Sequence, residues 1–237
     1  MEQYSDYLSG KKFDNYVELK IPVENKNVLE SRNSLLKRLV KGKKIIHVGC
    51  VDHMEIIDEK IRIGEWVHQI LDESASRCLG IDIFAPGIEY MKTKLGYSDV
   101  LCHDLIADPP SDVILNEQWD YILLGEILEH VDNPVQFLSA IKSKYGTVIK
   151  KIIVTVPNAF NLNNFRKVFK DIEHINSDHR YWFTPYTLSK VYTMAGVRPE
   201  KVYTCLFMEP NTRGTISKMA LKRYPLLRDS LILEGSF

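Results

Sequence analysis

The residues best suited to chemistry stand together in Gly125-Glu126-Ile127-Leu128-Glu129-His130-Val131-Asp132-Asn133-Pro134. A helical turn starting near Gly125 would space Glu126, Glu129 and His130 at i, i+3 and i+4, on one face. Asp132-Asn133-Pro134 then interrupts the chain, and Pro134 suits the first turn of a new helix. Two carboxylates and an imidazole on one face can hold a divalent cation, remove a proton from a substrate, or orient a bound cofactor. His179, within SDHRYWFTP, lies in a later segment that a doubly wound fold would bring over the same place. Mixed carboxylate and imidazole ligation suits manganese, zinc or iron, whereas magnesium prefers oxygen. The cation set would be Glu126, Glu129, His130 and His179. A histidine of near-neutral pKa within reach of a hydroxyl acts as a base without a cation, and this reading is preferred, with His130 ahead of His179. The structural alternative is a histidine fixed in a helix end or loop.

A second set of residues falls at the ends of apolar runs. The first run ends His47-Val48-Gly49-Cys50-Val51-Asp52-His53, where Gly49 lets backbone pass close to a ligand. The next ends Gly80-Ile81-Asp82-Ile83, and a carboxylate there can accept both hydrogens of a ribose diol. A third ends His103-Asp104-Leu105, where a carboxylate can accept from an adenine amino group. Together the three ends describe an adenosine cradle. On the opposite side, Asn158 follows Val156-Pro157 and is expected to face a substrate. Arg166, Lys167 and Lys170 form a basic cluster, either a solvated helix face or a phosphate-recognition site. Tyr181, Trp182 and Phe183 either line a sugar or base pocket or pack this segment onto the fold.

Positioning these residues requires strands that alternate with helices. The runs Lys43–Cys50, Arg77–Phe84, Asp99–Leu105, Trp119–Glu126 and Lys150–Pro157 read as strands. Helical patterns at Val28–Val40, Gly64–Ser74, Gly87–Lys94 and Asn133–Lys144 precede or separate most of them, and such alternation implies a parallel sheet with helices on both faces. A helix at Pro185–Ala195, a strand at Lys201–Phe207 and a last apolar run at Ser230–Gly235 follow. Residues 158–184 show no clear periodicity. With 31 basic against 31 acidic residues, bulk charge argues against a polycationic nucleic-acid binder. No apolar run reaches the roughly 20 residues of a membrane span. The opening MEQYSDYLSGKKF lacks the layout of a signal peptide, and the four cysteines form no CxxC pair, so a cytoplasmic protein is expected.

In order, HVGC, GIDI, CHDL, WDYILLGEILEHVDNP, IIVTVPN and DHRYWFTPYTL resemble a class I S-adenosylmethionine-dependent methyltransferase, of the small-molecule and glycan group. The resemblance runs from Lys43 to Phe207. It implies a Rossmann-like doubly wound α/β sheet, mostly parallel, of seven strands with the last antiparallel. By the same resemblance His47, Gly49, Cys50 and Val51 approach the methionine portion of the cofactor. Asp82 serves the ribose hydroxyls, Asp104 the adenine, and Gly125, Glu126 and Ile127 the sulfonium side, with Ile83 and Leu105 also counted among the cofactor-binding residues. The chain departs from the family at His47, where an acidic residue is usual, and at Val51 and His53, where glycines are usual. The stretch DHMEIIDEKIRIGEWVHQ also lengthens the interval between Gly49 and Asp82. Trp66 or His68 is expected to close the methionine pocket, unless Trp66 is a core residue. Nothing matches the G-x-G-x-x-G pyrophosphate turn, which a sulfonium cofactor does not need.

The expectation is therefore a helical extension, residues 1–40, before a methyltransferase domain, residues 41–237. The cofactor is S-adenosylmethionine, with S-adenosylhomocysteine as product, and a divalent metal is the less favoured addition. The reaction expected is methyl transfer to an oxygen of a small polar substrate, a sugar or phosphorylated (or nucleotide-linked) building block of a surface glycan or capsule. Substrate-binding candidates are Asn158, Arg166, Tyr181 and Trp182; catalytic candidates are His130 and His179. Two alternatives are a metal-assisted RNA 2′-O-methyltransferase and an inactive nucleoside-binding regulatory subunit. Neutral charge speaks against the RNA reading. The oligomeric state is left open.

Overall fold

The predicted apolar runs become the strands of one seven-stranded sheet in a computed structural model that describes residues 1–237. In chain order the elements are α1 (Ser5–Ser9), α2 (Arg32–Val40), β1 (Lys44–Val48), α3 (Ile57–Arg62), α4 (Val67–Asp72), β2 (Arg77–Asp82), α5 (Ala85–Thr93) and β3 (Val100–Cys102). There follow α6 (Asp112–Leu115), β4 (Trp119–Gly125), α7 (Pro134–Tyr145), β5 (Ile149–Pro157), α8 (Leu162–Val168), α9 (Pro185–Met194), β6 (Arg198–Cys205), α10 (Thr215–Arg223) and β7 (Ser230–Ser236). The sheet order is β3-β2-β1-β4-β5-β7-β6. Neighbours from β3 to β5 pair in parallel, and β7 runs antiparallel to both β5 and β6. This is the expected Rossmann-like sheet, with SLILEG in its last, antiparallel strand.

Alternation along the strands builds a core on each face. Ile46, Ile122, Leu124, Ile152 and Val154 face a core completed by Leu138, Ile141 and Tyr145 of α7 and Leu188 and Tyr192 of α9. Ile45, Leu123 and Ile153 point the other way, against Leu35, Leu36 and Val40 of α2 and Leu71 of α4. Helix α2 begins at a cap, Ser31 Oγ accepting from the Ser34 amide at 3.1 Å. Helix α7 begins after Asn133, whose side chain accepts from the Gln136 amide, with Pro134 in its first turn. No helix is long and apolar enough to cross a membrane.

Two local features differ from the expectation. No helical turn starts at Gly125: the β4–β5 ladder continues to Gly125, and the Glu126 amide still donates to the Thr155 carbonyl at 3.0 Å. Glu126 then leaves the sheet at φ +55, in the left-handed region. Inside the segment without periodicity lies α8, capped by Asn161. Its Phe165 and Val168 are exposed, so no apolar stripe betrays it.

The chain before β1 is fastened to the far edge of the sheet. Val23 bridges to Val202 and Ser31 to Leu206. Arg228, fully buried, donates to the carbonyls of Leu221, Asn25, Thr204 and Lys26 at 2.8–3.1 Å. Removing the guanidinium would take a donor from all four carbonyls, of which only Asn25 and Thr204 keep another, from the Val28 amide and the Asn25 side chain. We expect Arg228→Met to lower unfolding stability by about 3 kcal/mol. Limited proteolysis should then cut first between residues 20 and 31; denaturant unfolding and fragment mass would check both.

Candidate active site

The strand order sets Asp104, Asp82, Gly49 and Gly125 in succession along the carboxyl edge, at the ends of β3, β2, β1 and β4. Asp82 is fixed from two sides: its carboxylate accepts from the amides of Val51 (2.9 Å) and Phe84 (3.0 Å). Each oxygen keeps a lone pair for a diol. Ile83 beside it is 72% exposed and offers a flat apolar surface. Asp104 accepts from the amides of Ile106 and Ala107, and these bonds, Ala107 first, hold its pKa below the usual value. Leu105 is buried in the core. Gly49 turns the chain at φ +72, and a Cβ there would lie 3.2 Å from Ile127 Cδ1. Ile127 therefore seats directly on the first turn.

His47, Cys50, Trp66 and His68 do not open on the edge; all four are buried. His47 and His68 stack at 5.3 Å, with Nδ1 atoms 3.1 Å apart, so one ring donates and the other accepts. Burial pushes the pKa of His47 well down and that of His68 to about 4. His68 fits because β2 carries Gly80: a Cβ there would stand 2.7 Å from the imidazole. Trp66 packs on His68 and Tyr97 as a core residue and does not close a pocket. From the long interval after Gly49, Ile57, Trp66 and His68 thus pack inward, while most of its other side chains stay at least partly exposed.

Beyond β4 the charged residues divide. Glu126 accepts from Thr155 Oγ1 at 2.8 Å and pairs with Arg32 at 3.3 Å. Glu129, His130 and His179 converge, with one ligand atom of each lying within 4.8 Å of the others. The two imidazoles meet edge to face at 4.7 Å. Both Glu129 carboxylate oxygens and His179 Nδ1 are buried without a partner. Burial, then the Glu126 charge, raises the Glu129 pKa to about 8. Desolvation, then His130, lowers that of His179. Tertiary structure joins three of the four predicted ligands, while Glu126 turns toward Arg32. The three orphaned donors fit a divalent cation of the manganese or zinc type.

Arg166, Trp182 and His179 line a cavity of about 620 Å³, with Asn161, Asn164 and Arg213. Asn158, expected to face a substrate, is fully buried and donates to the carbonyls of Leu226 and Arg228. Tyr181 donates to the Asp132 carbonyl at 2.7 Å, which ties its segment to the acidic turn. Arg32, Thr155 and Arg213 carried no signal in the sequence. Each is a common residue in an ordinary helix, strand or turn, and only packing brings it here.

No family model matches the chain, and no curated protein matches it in sequence. Solved structures match it in fold. An S-adenosylmethionine-dependent methyltransferase from Archaeoglobus fulgidus superposes with TM-score 0.53 at 17% identity, over 86% of this chain and 92% of that one. A second from Mesorhizobium loti gives 0.52 at 13% identity, over 86% and 96%. The small RNA methyltransferase HEN1 gives 0.57 at 14% identity, over 95% of this chain and 26% of that one. The fold is that of the class I S-adenosylmethionine-dependent methyltransferases. In this methyltransferase fold the crevice lies where β1 and β4 adjoin and the chain winds off in opposite directions.

Two pH effects follow from the buried groups of the methyltransferase fold. The histidine pair has depressed native pKa values, so the unfolded chain binds more protons below about 6.5 and stability is lost as pH falls toward about 4. A His47→Leu, His68→Leu variant should show a shallower loss over that window in denaturant titrations. Glu129 behaves in the opposite sense. Its native pKa of about 8 exceeds the unfolded value of 4.5, so its contribution to metal-free stability should be lost as pH rises from about 4.5 to about 8. Glu129→Gln should flatten that slope.

Proposed function

We propose that the protein transfers a methyl group from S-adenosylmethionine to a hydroxyl oxygen of a polar substrate, a sugar or phosphorylated building block. The observation that carries this reading is the convergence of Glu129, His130 and His179, the last of which also lines a cavity with Arg166 and Trp182. The bound cofactor supplies an electrophilic methyl carbon on a cationic sulfur. Asp82 and Asp104 hold the nucleoside, and Gly49, Gly125 and Ile127 border the sulfonium side. His130, with His179 against it, accepts the hydroxyl proton as the oxygen attacks. Alignment of the two reactants accounts for much of the rate. Arg166 supplies charge for a phosphate, and Trp182 an apolar wall for a sugar ring. A cytoplasmic setting is part of this reading, in keeping with four unpaired cysteines.

The orphaned oxygens of Glu129 and Nδ1 of His179 favour a second reading of the same residues. Here Glu129, His130 and His179 hold a divalent cation, which would acidify a coordinated hydroxyl. The likeness to a small RNA methyltransferase makes an RNA 2′-hydroxyl the acceptor to test on this reading. Calorimetric titration with S-adenosylhomocysteine should show micromolar binding that Asp82→Ala abolishes; absence of binding in the wild type would refute the cofactor. Manganese binding that is lost in His179→Ala, together with salt-sensitive RNA binding, would select the second reading. His130→Ala should slow turnover at least about a hundredfold if His130 is the base.

A further inference from the structure

Two surface segments away from the crevice leave large apolar side chains in water. Helix α8 and the turn after it expose Phe165, Val168, Phe169 and Ile172, with Phe169 88% exposed. Helix α10 and the residue after it expose Ile216, Met219 and Tyr224, with Ile216 85% exposed. A single exposed apolar residue needs no explanation, but a group of them in neighbouring segments does. The segments are neighbours because the chain leading into α8 is bonded to the chain leaving α10. The Asn158 amide donates to the Asp229 carbonyl at 2.9 Å, and its side chain donates to the carbonyls of Leu226 and Arg228. Asn161, Asn164 and Arg166 from the first segment and Arg213 and Asp229 from the second line one cavity.

Charge says what covers this face. Residues 159–170 hold Arg166, Lys167 and Lys170 and no carboxylate, and residues 210–228 hold five basic residues and no carboxylate. Arg213 pairs with Asp229 and Arg228 is buried. Arg166, Lys167, Lys170, Lys218, Lys222 and Arg223 join no ion pair, and only Asp171 and Glu173, past the end of α8, offset them. In a chain of 31 basic and 31 acidic residues this is a local excess of positive charge. A protein partner fits poorly, because lysine is depleted in protein interfaces and most of these cations are lysines. A nucleic acid would meet the cations but gain nothing from Val168, Ile216 and Met219, which offer no ring to stack on a base. An anionic bilayer uses both kinds of side chain: apolar tips enter the acyl boundary while ammonium and guanidinium groups stay at the phosphates. We infer that α8 and α10 form a face that docks on an anionic lipid bilayer, lying on it without crossing it. A protein held this way brings the cavity that both segments line to the headgroup layer.

The docking face needs neither the cofactor nor the reaction, and its test uses neither. The full chain is sedimented with vesicles of phosphatidylcholine alone and of phosphatidylcholine with about 30% phosphatidylglycerol. Binding to the anionic vesicles should be at least about tenfold tighter, and should weaken at least about tenfold between about 50 mM and about 500 mM sodium chloride. A Val168→Ser, Phe169→Ser variant and an Ile216→Ser, Met219→Ser variant should each weaken it at least about fivefold, as should Lys218→Glu with Lys222→Glu. All these side chains are at the surface, so circular dichroism and the unfolding midpoint should match the wild type and show that each variant is folded. Equal binding to both vesicles, or a loss in only one of the two apolar variants or in neither, overturns the shared face. Self-association without vesicles that both apolar variants abolish would assign the face to a second copy of this chain. Tighter binding to RNA than to anionic vesicles, left intact by the apolar variants, would assign it to nucleic acid. Either result overturns the bilayer.

Discussion

The parallel pairing of β1 with β4 is the contact on which the remaining architecture depends. It joins Val48 to Leu124, so that Gly49 and Gly125 come to stand side by side where the two strands stop. From that junction the chain winds outward through β2 and β3 on one side and through β5, β7 and β6 on the other. A crevice at the carboxyl edge is then unavoidable, because no connection crosses over it. The positive φ of Gly49 and the seat of Ile127 upon it are local consequences of the same junction. One register places Asp82 and Asp104 on one side of the crevice and Glu126 to His130 on the other.

Burial of charge around the crevice is tolerated because each group is neutral or has a partner. The two buried imidazoles, His47 and His68, are held uncharged by burial, and the nearby Arg32 adds to the effect on His47. Glu129 keeps a proton into the neutral range because burial and the Glu126 charge oppose its ionisation, while Arg32 partly offsets them. A cation, or a positive ligand group, entering here would release that proton. The site therefore couples what it binds to its own protonation.

The residues preceding β1 are part of this arrangement. Helix α2 covers one face of the sheet with Leu35, Leu36 and Val40, and the same packing aims its first residue, Arg32, at Glu126. Arg228 ties the carbonyls of Asn25 and Lys26 to the region of β6 and so anchors the segment leading into that helix. Stability and site geometry meet in this one short stretch of chain.

The strands, the larger helices and the carboxylates at the strand ends were legible because hydrophobic period and turn chemistry are local properties. Asp82, Asp104 and the Glu129-His130 pair could be named from the residues alone, since each stands at the end of an apolar run. Local pattern could not say that Glu126 would take a left-handed backbone, because that follows from a hydrogen bond to Thr155 on another strand. Nor could it bury His68 against Gly80, meet His130 with His179, or bring Arg32 to Glu126. The sequence by itself determined the alternating α/β order and the chemical groups at each strand end. Tertiary structure alone decided which of those groups face one another, because side-chain encounters between strands depend on register and packing across long chain separations.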